Sequence, residues 1–525
     1  MEILQYSYFA FSLRRNPLIL FRDGIHLSAG RVLAEVLMAI SLAGCAVGPD
    51  FKAIAPPKDQ AYVRQPISIS SGETEQRLVM GANLPVDWWT LLQSAQLNHV
   101  VRQALANNWS LTAARANLAK AAEGVAVARG GLFPQVDAVS HAGRSRYGAS
   151  FLGPEAATFP TFSAYTGGVA VSYDLDIFGG QQRQIEFAAA DADIQREVMN
   201  AAHINVAGDT VLEVLQIASI RAQIVVMQSV IASDQQNLGL VQIAYKTGVA
   251  TLMDVTTAQS QLDSDRTTLP PLRQQLNVAQ DALAILVGES PAAWTAPDFT
   301  LAALTLPADI PLVVPSELVR ARPDIRAAEA QLHAANTAVG LATADMYPHF
   351  TLSASVAEDG LFSGASGAAW NFIGGLTAPV FHGGALSAHR RQMQDAYQAT
   401  FAEYQQTVLT AFGQVADNLH GLSNSADEVR TEQQALDSAS AALRLTRLGY
   451  RAGNAGIVQV LDAQRLQQLA ELRLVQARTT RYRQTVNLFL ATGGGVAGPL
   501  FKSQGNRAGE RDMPVSSGAG TNGGS

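Results

Sequence analysis

The chain repeats itself, and the repeat limits its architecture more than any other feature of the sequence. YKTGVATLMDVTTAQ, beginning at Tyr245, aligns without a gap on YRAGNAGIVQVLDAQ, beginning at Tyr450, a shift of 205 residues (450 − 245). Upstream, LTAARANLAKAAEGVAVARGGLFP ending at Pro134 aligns on IRAAEAQLHAANTAVGLATADMYP ending at Pro348, a shift of 214 (348 − 134). Self-similarity at a nearly fixed spacing means that one supersecondary plan is used twice. Each half is therefore expected to run helix, strands, then long helices.

The long helices are read from spacing. Steps of seven give Ile217, Ile224, Ile231, Leu238 and Tyr245 in the first half, and Leu422, Val429, Leu436, Leu443 and Tyr450 in the second. Ile220, Met227 and Val241 fill the alternate steps of the first seam, and Asp234 is its exception; the second seam alternates with Ser425, Glu432, Ala439 and Thr446. A sustained heptad favours left-handed supercoiling against partner helices. One helical path over 184–245 would be about 90 Å long at ~1.5 Å per residue. Gly248 and Gly453 mark turns after which a second helix returns, and Pro270 with Pro271 should break the first return helix. Gly288 and the run from Gly493 to Gly495 end the return helices.

These signals divide the chain into 1–44, an export signal with an overlong start; 45–87, an extended lipidated segment; 88–288, the first repeat; 289–315, a Pro-rich extended connector; 316–495, the second repeat; and 496–525, a Gly- and Ser-rich disordered tail. The export reading rests on the apolar stretch RVLAEVLMAISLAG from Arg31 to Gly44 and on LAGC, which resembles a bacterial lipobox. That resemblance implies cleavage before Cys45 and acylation of its sulfur and new amino terminus, and two or more acyl chains anchor a protein where one is marginal. Ala46 in place of Asp matches sorting to the outer membrane. Cys45 is the single cysteine, so the chain can form neither an internal disulfide nor a Cys-based zinc site.

Composition excludes several functions. A formal net charge of −7 offers no basic surface for nucleic acid. His382 and His389 are a poor metal pair, the Gly-Gly pairs at Gly179 and Gly383 lack the Lys-Ser/Thr of a phosphate loop, and no nucleophile elbow is present. No cofactor and no enzymatic activity are expected. No unbroken apolar run approaches the ~18 to 20 residues of a membrane-spanning helix, so strands must make any bilayer crossing.

Strand signals fall only between the short and long helices of each half. HFTLSASV at 349–356 alternates apolar and polar residues, and 134–145, 162–175 and 370–379 are weaker candidates. An ordinary sheet on a soluble body fits the same periodicity. If the strands span lipid, their open edges require partner chains, because closed barrels need about eight strands or more. Four per chain imply at least a dimer.

Several motifs in order, CAVGPDFKAIAPP, DWWTLLQSAQLNHVVRQALANNWSL, YDLDIFGG, RARPDIRAAEAQL, PVFHGG and YRAGNAGIVQVLDAQR, resemble the outer membrane factor family, the TolC-like channels, and within it the NodT-type lipoproteins. The resemblance runs from Cys45 to about Gly495. It implies an α+β membrane protein: a homotrimer whose twelve strands form one outer-membrane barrel and whose helical hairpins form a periplasmic α-barrel. A periplasmic adaptor protein and an inner-membrane RND-type pump would complete a tripartite machine exporting small molecules or drugs. A type I secretion duct and a structural coiled-coil lipoprotein are the alternatives.

By the same resemblance, the turns would form a periplasmic gate. Asp462 would make a ring of three carboxylates, with Gln459 where some relatives carry a second acidic ring. Asp254 and Tyr450 match positions that hydrogen-bond across hairpins in the closed state, and Gly248 and Gly453 would be docking turns for the adaptor. A helix-start acid favoured by the helix dipole is the plainer reading of Asp254 and Asp462. Trp88 and Trp89 are expected to pack structurally.

Overall fold

The computed structural model describes residues 46–57, 61–64, 76–146 and 161–495. Cys45, the export signal and the C-terminal tail lie outside the described residues. The chain divides into two compact units.

The first unit takes in Pro134–Gln182 and Thr343–Val380. Its strands are β2 (Gln135–Ser145), β3 (Phe162–Leu175), β5 (His349–Leu361) and β6 (Ser366–Thr377), which form one antiparallel sheet in the order β2-β3-β5-β6. Register explains its two faces. Ala138, Val169, Val356 and Trp370 lie in one cross-strand row, and Val136, Val171, Ala354 and Phe372 in the next row of the same face. That face is apolar yet open: Trp370 is 78% exposed, Phe372 68% and Val356 64%. The other face is polar, with Thr166 donating to Asp359 at 2.6 Å and Asn371 donating to Ser355 at 2.7 Å. β2 and β6 are the edge strands. Gly168 sits where a side chain could not, since a Cβ there would lie 2.3 Å from the Val356 carbonyl oxygen.

The second unit is helical and shows the duplication directly. A one-turn 3-10 helix at Trp88–Leu92 precedes α1 (Ala95–Asn107), α2 (Trp109–Gly130), α3 (Gly180–Lys246), α4 (Leu252–Arg266) and α5 (Leu269–Val287). The second half supplies α6 (Pro315–Ala321), α7 (Pro323–Ala344), α8 (Ala385–Arg451) and α9 (Ile457–Ala491). α3 and α8 are each 67 residues long, about 100 Å of helix. The return path is continuous in α9, whereas in the first half it breaks at Thr267 and Thr268, where Pro270 and Pro271 open α5. Proline has no amide to give to the preceding turn, so the break falls just before the pair.

One contact recurs in both halves. Asn108 caps α2, accepting from the Ser110 and Leu111 amides at 2.9 and 3.2 Å, and its Nδ2 donates to the Leu286 carbonyl at the end of α5 (2.9 Å). Arg322, its counterpart 214 residues on, donates from Nη1 to the carbonyl of Ala491 at the end of α9 (2.9 Å), and Ala491 is Leu286 shifted by 205. Each repeat thus joins the junction of its short helices to the last turn of its own return helix, where orphan carbonyls need donors.

The structure corrects two expectations and adds detail to two others. The segment 289–315 is folded rather than an extended connector: it holds a 3-10 turn at Leu301–Ala303 and β4 (Asp309–Leu312), and Phe299, Leu304, Ile310 and Leu312 join the core with Trp88, Leu92, Leu97 and Phe489. Strands also occur away from the four-stranded sheet, because β4 pairs in parallel with β1 (Arg77–Met80) across more than 200 residues of chain. Among the described residues, α3 alone is apolar enough on average to cross a membrane, although polar residues interrupt every run, and half of its most apolar stretch is buried inside the protein. Its Val211, Val214, Leu215, Ile217 and Ile220 form the core instead. Finally, the first heptad seam is buried at Ile217, Ile231 and Leu238, half-buried at Ile224, and open at its last position, where Tyr245 is 45% exposed and Val241 is the last seam residue buried.

Candidate functional site

The two helical turns are built alike. Gly248 and Gly453 both hold φ at 76°, a left-handed conformation that closes a helix end at little cost for glycine. The Gly248 amide donates to the Tyr245 carbonyl at 3.0 Å and the Gly453 amide to the Tyr450 carbonyl at 3.1 Å. Among the described residues, none beyond the adjoining ones comes within 4 Å of where a Cβ would stand at either glycine, so both turns face open space. Val249, Leu252 and Met253 flank the first turn and are largely exposed, Val249 at 83%.

Beneath the turns a single apolar cluster joins all four helix ends. Ile231, Leu238 and Val241 come from α3, Ala258 and Leu262 from α4, Leu443 from α8, and Ile457, Val460 and Leu461 from α9. Tyr450 packs against this cluster. The four candidate gate residues therefore stand at one end of one unit, in different local roles. Asp254 forms a capping box with Thr251, its Oδ2 accepting from the Thr251 amide at 2.8 Å and hydroxyl at 2.7 Å. Those two donors hold its carboxyl below the usual carboxylate range. Gln459 acts similarly in the second turn, its Oε1 accepting from the Gly456 amide at 2.6 Å. Asp462 is exposed on α9, three residues further along. No hydrogen bond joins Asp254 to Tyr450 within the chain, among the described residues.

Sequence reasoning passed over a second group just inside the turns. Asp234, the polar exception in the seam, is 3% exposed. Its Oδ1 accepts from Gln464 Nε2 at 2.9 Å, while Gln464 Oε1 accepts from Asn237 at 2.7 Å and from Arg447 at 3.2 Å. Burial and the neighbouring Asp265 carboxylate push the Asp234 carboxyl up to about 7. The signal was present in the sequence: an acid at a heptad position has either to be neutralised or to break the seam. Among the described residues, no group of three or more His, Cys, Asp or Glu side chains is arranged to hold a metal ion.

Comparison with known proteins agrees with the duplicated plan. The family model for outer membrane efflux proteins matches the chain twice, at residues 100–289 and 314–494. The pyoverdine export outer membrane protein OpmQ of Pseudomonas aeruginosa is 30% identical over 418 residues, covering 78% of this chain and 87% of that one. The probable outer membrane lipoprotein SilC of Salmonella typhimurium is 26% identical over 469 residues, covering 88% and 98%. The solved outer-membrane channel OprN superposes with a TM-score of 0.75 at 25% identity, covering 86% of this chain and 99% of that one.

Proposed function

Because the chain belongs to the outer membrane efflux protein family, and is thus a non-enzymatic outer-membrane channel of an efflux system, we propose that three copies of it close one passive conduit. The observation that carries this reading is the sheet: an exposed apolar face with an open edge strand on either side. Such a face is stable in hydrocarbon, and such edges are not. Three copies of the four-stranded sheet supply twelve strands, enough to close a barrel in the range of known outer-membrane barrels. The sheet unit then lies in the bilayer and the helical unit in the periplasm.

Cys45 carries the acyl anchor in this reading, supported by the lipobox-like LAGC and by the likeness to a protein named as a lipoprotein. Asp462, Gln459, Tyr450 and Asp254 line the closable periplasmic end. Because Asp254 already caps its own helix, a Tyr450 hydroxyl reaching it from a neighbouring copy would add a third donor to the same carboxylate. Gly248 and Gly453, with the apolar Val249, Leu252 and Met253 beside them, meet the tip of a periplasmic adaptor that links the channel to an RND-type inner-membrane pump. The pump selects the small-molecule cargo, since a wide tunnel discriminates little.

Reconstitution into planar bilayers tests the reading. Discrete conductance steps, together with a trimer that runs as a compact band unless heated, are the expected outcome. Protein that remains soluble without detergent once Cys45 is replaced, and that never conducts, would instead be a structural coiled-coil lipoprotein.

A further inference from the structure

The buried acid of α3 belongs to only one of the two repeats. Shifted by 205 residues, Asp234, Asn237 and Asp265 correspond to Ala439, Ala442 and Ala470. Gln464 corresponds to Gln259, which is only partly buried and donates to Asp263 at 2.9 Å. Three members of a polar cluster in the first repeat thus stand where the second repeat carries only alanine.

Its hydrogen bonding is incomplete as drawn from ionised groups. Asp234 Oδ1 has Gln464 as donor, but Oδ2 is buried with no donor among the described residues. Here α4 packs with α3, Ala258 and Leu262 sharing one apolar cluster with Ile231 and Leu238; that packing brings the Asp265 carboxylate, near the end of α4, next to Asp234, and Asp265 itself accepts from Gln261 Nε2 at 2.8 Å. Among the described residues no ion pair reaches either acid. On α4, Arg266 donates to Asp263 at 3.4 Å; on α8, Arg447 reaches Gln464 rather than either carboxylate; and Arg444, Arg447 and Glu471 line a cavity of 250 Å³ together with Ser229 and Ser233 of α3. Glu471 accepts from Gln467 at 3.2 Å. Two adjacent carboxylates without a cation cannot both remain ionised at low cost, and one proton between them lets an O–H of one acid donate to an oxygen of the other.

We propose that Asp234 and Asp265 hold a single shared proton, and that this proton latches the first helical hairpin to the second through Gln464. The idea rests on the channel reading above and adds a regulator to it. With the proton present, Asp234 is neutral toward its buried surroundings, keeps Gln464 as donor, and Gln464 in turn holds Asn237 and Arg447, so α3, α4, α8 and α9 are tied at the end that carries the turns. Loss of the proton leaves two like charges in contact, and the helices separate. Asp265 is only partly buried and provides the exchange route to water. The sign follows from the raised carboxyl of Asp234: the latch is fully engaged below its ordinary value of 3.8 and is lost as pH rises through about 7.

The test uses the full-length protein in membranes. Infrared spectra should show a protonated carboxyl band at pH 6 that disappears by about pH 8.5 and is missing in both Asp234→Asn and Asp265→Asn, because either amide supplies the missing donor without a proton. Resting conductance of the wild type should rise at least tenfold between pH 5 and pH 8, the factor that a single pKa unit of difference between closed and open states already supplies, and should vary less than about twofold in both Asn variants. Gln464→Leu should keep the infrared band but lose the pH dependence of conductance. A wild type with no protonated carboxyl band at pH 6, or a band that survives in both Asn variants, overturns the shared proton, and the wild-type spectrum decides this even if a variant fails to assemble. A wild-type conductance that does not change with pH overturns the latch. Absence of conductance at every pH would defeat the channel reading instead, leaving the infrared result to stand alone.

Discussion

Asn108→Ala tests whether the junction residue of each repeat performs two tasks at once. Asn108 is 6% exposed, caps α2 through Oδ1, and satisfies the Leu286 carbonyl of α5 through Nδ2. Truncation removes an N-cap, worth ~1 kcal/mol, and leaves a partly buried carbonyl without its donor, worth about 1 to 2 kcal/mol more. A total of roughly 2 to 3 kcal/mol corresponds to local opening that is about 30 to 150 times more frequent. Asn108→Asp separates the two tasks: the carboxylate still caps α2 and suits the helix dipole, but it offers an acceptor where Leu286 needs a donor. Hydrogen exchange read by mass spectrometry on the assembled protein is the appropriate assay, since a membrane oligomer rarely unfolds reversibly. Asn108→Ala should speed exchange at the start of α2 and in the last turn of α5, whereas Asn108→Asp should speed it in α5 alone. Wild-type exchange rates throughout α5 in both variants would refute the cross-link and reduce Asn108 to a simple cap.

Further outcomes concern the turns and the anchor. Asp462→Ala should lower cation selectivity in planar bilayers by slightly more than tenfold, because three ring carboxylates at ~8 Å in water-like surroundings contribute about 0.5 kcal/mol each toward an axial cation; unchanged reversal potentials would remove Asp462 from the gate. Tyr450→Phe should raise resting conductance about fivefold, the worth of one hydroxyl hydrogen bond of ~1 kcal/mol, and identical single-channel traces would leave its ring packing as its whole role. Cys45→Ser should abolish palmitate labelling while the protein still fractionates with the outer membrane through its strands; labelling that persists would place the acyl chain elsewhere.

The duplication, the long helices, the two glycine turns and the proline break could all be read before any coordinates. Each is encoded locally: heptad spacing sets a helix face, a left-handed turn selects glycine, and proline lacks an amide. The four sheet strands were visible for the same reason, with β5 extending past the alternating stretch to Leu361 and β6 beginning earlier, at Ser366. The turns and the helix-start position of Asp254 were legible, but the local bonds were not: Asp254 and Gln459 each cap the helix they begin, which depends on the backbone amides of Thr251 and Gly456 turning toward them.

What the chain's own pattern determined, then, is which segments are helix or strand and that the plan occurs twice. Tertiary structure alone decided the rest. Phe299, Ile310 and Leu312 sit among prolines that suggest an extended connector, yet they are buried because β1, far away in sequence, gives β4 a partner. Gln464 and Gln259 occupy the same place in their repeats, and one turns inward to a buried acid while the other is only partly buried. Periodicity records which face of an element is apolar, but not which distant surface will cover it. Pairings across two hundred residues are selected by the fit of the assembled elements, and only there does a lone acid in a heptad acquire its neighbours.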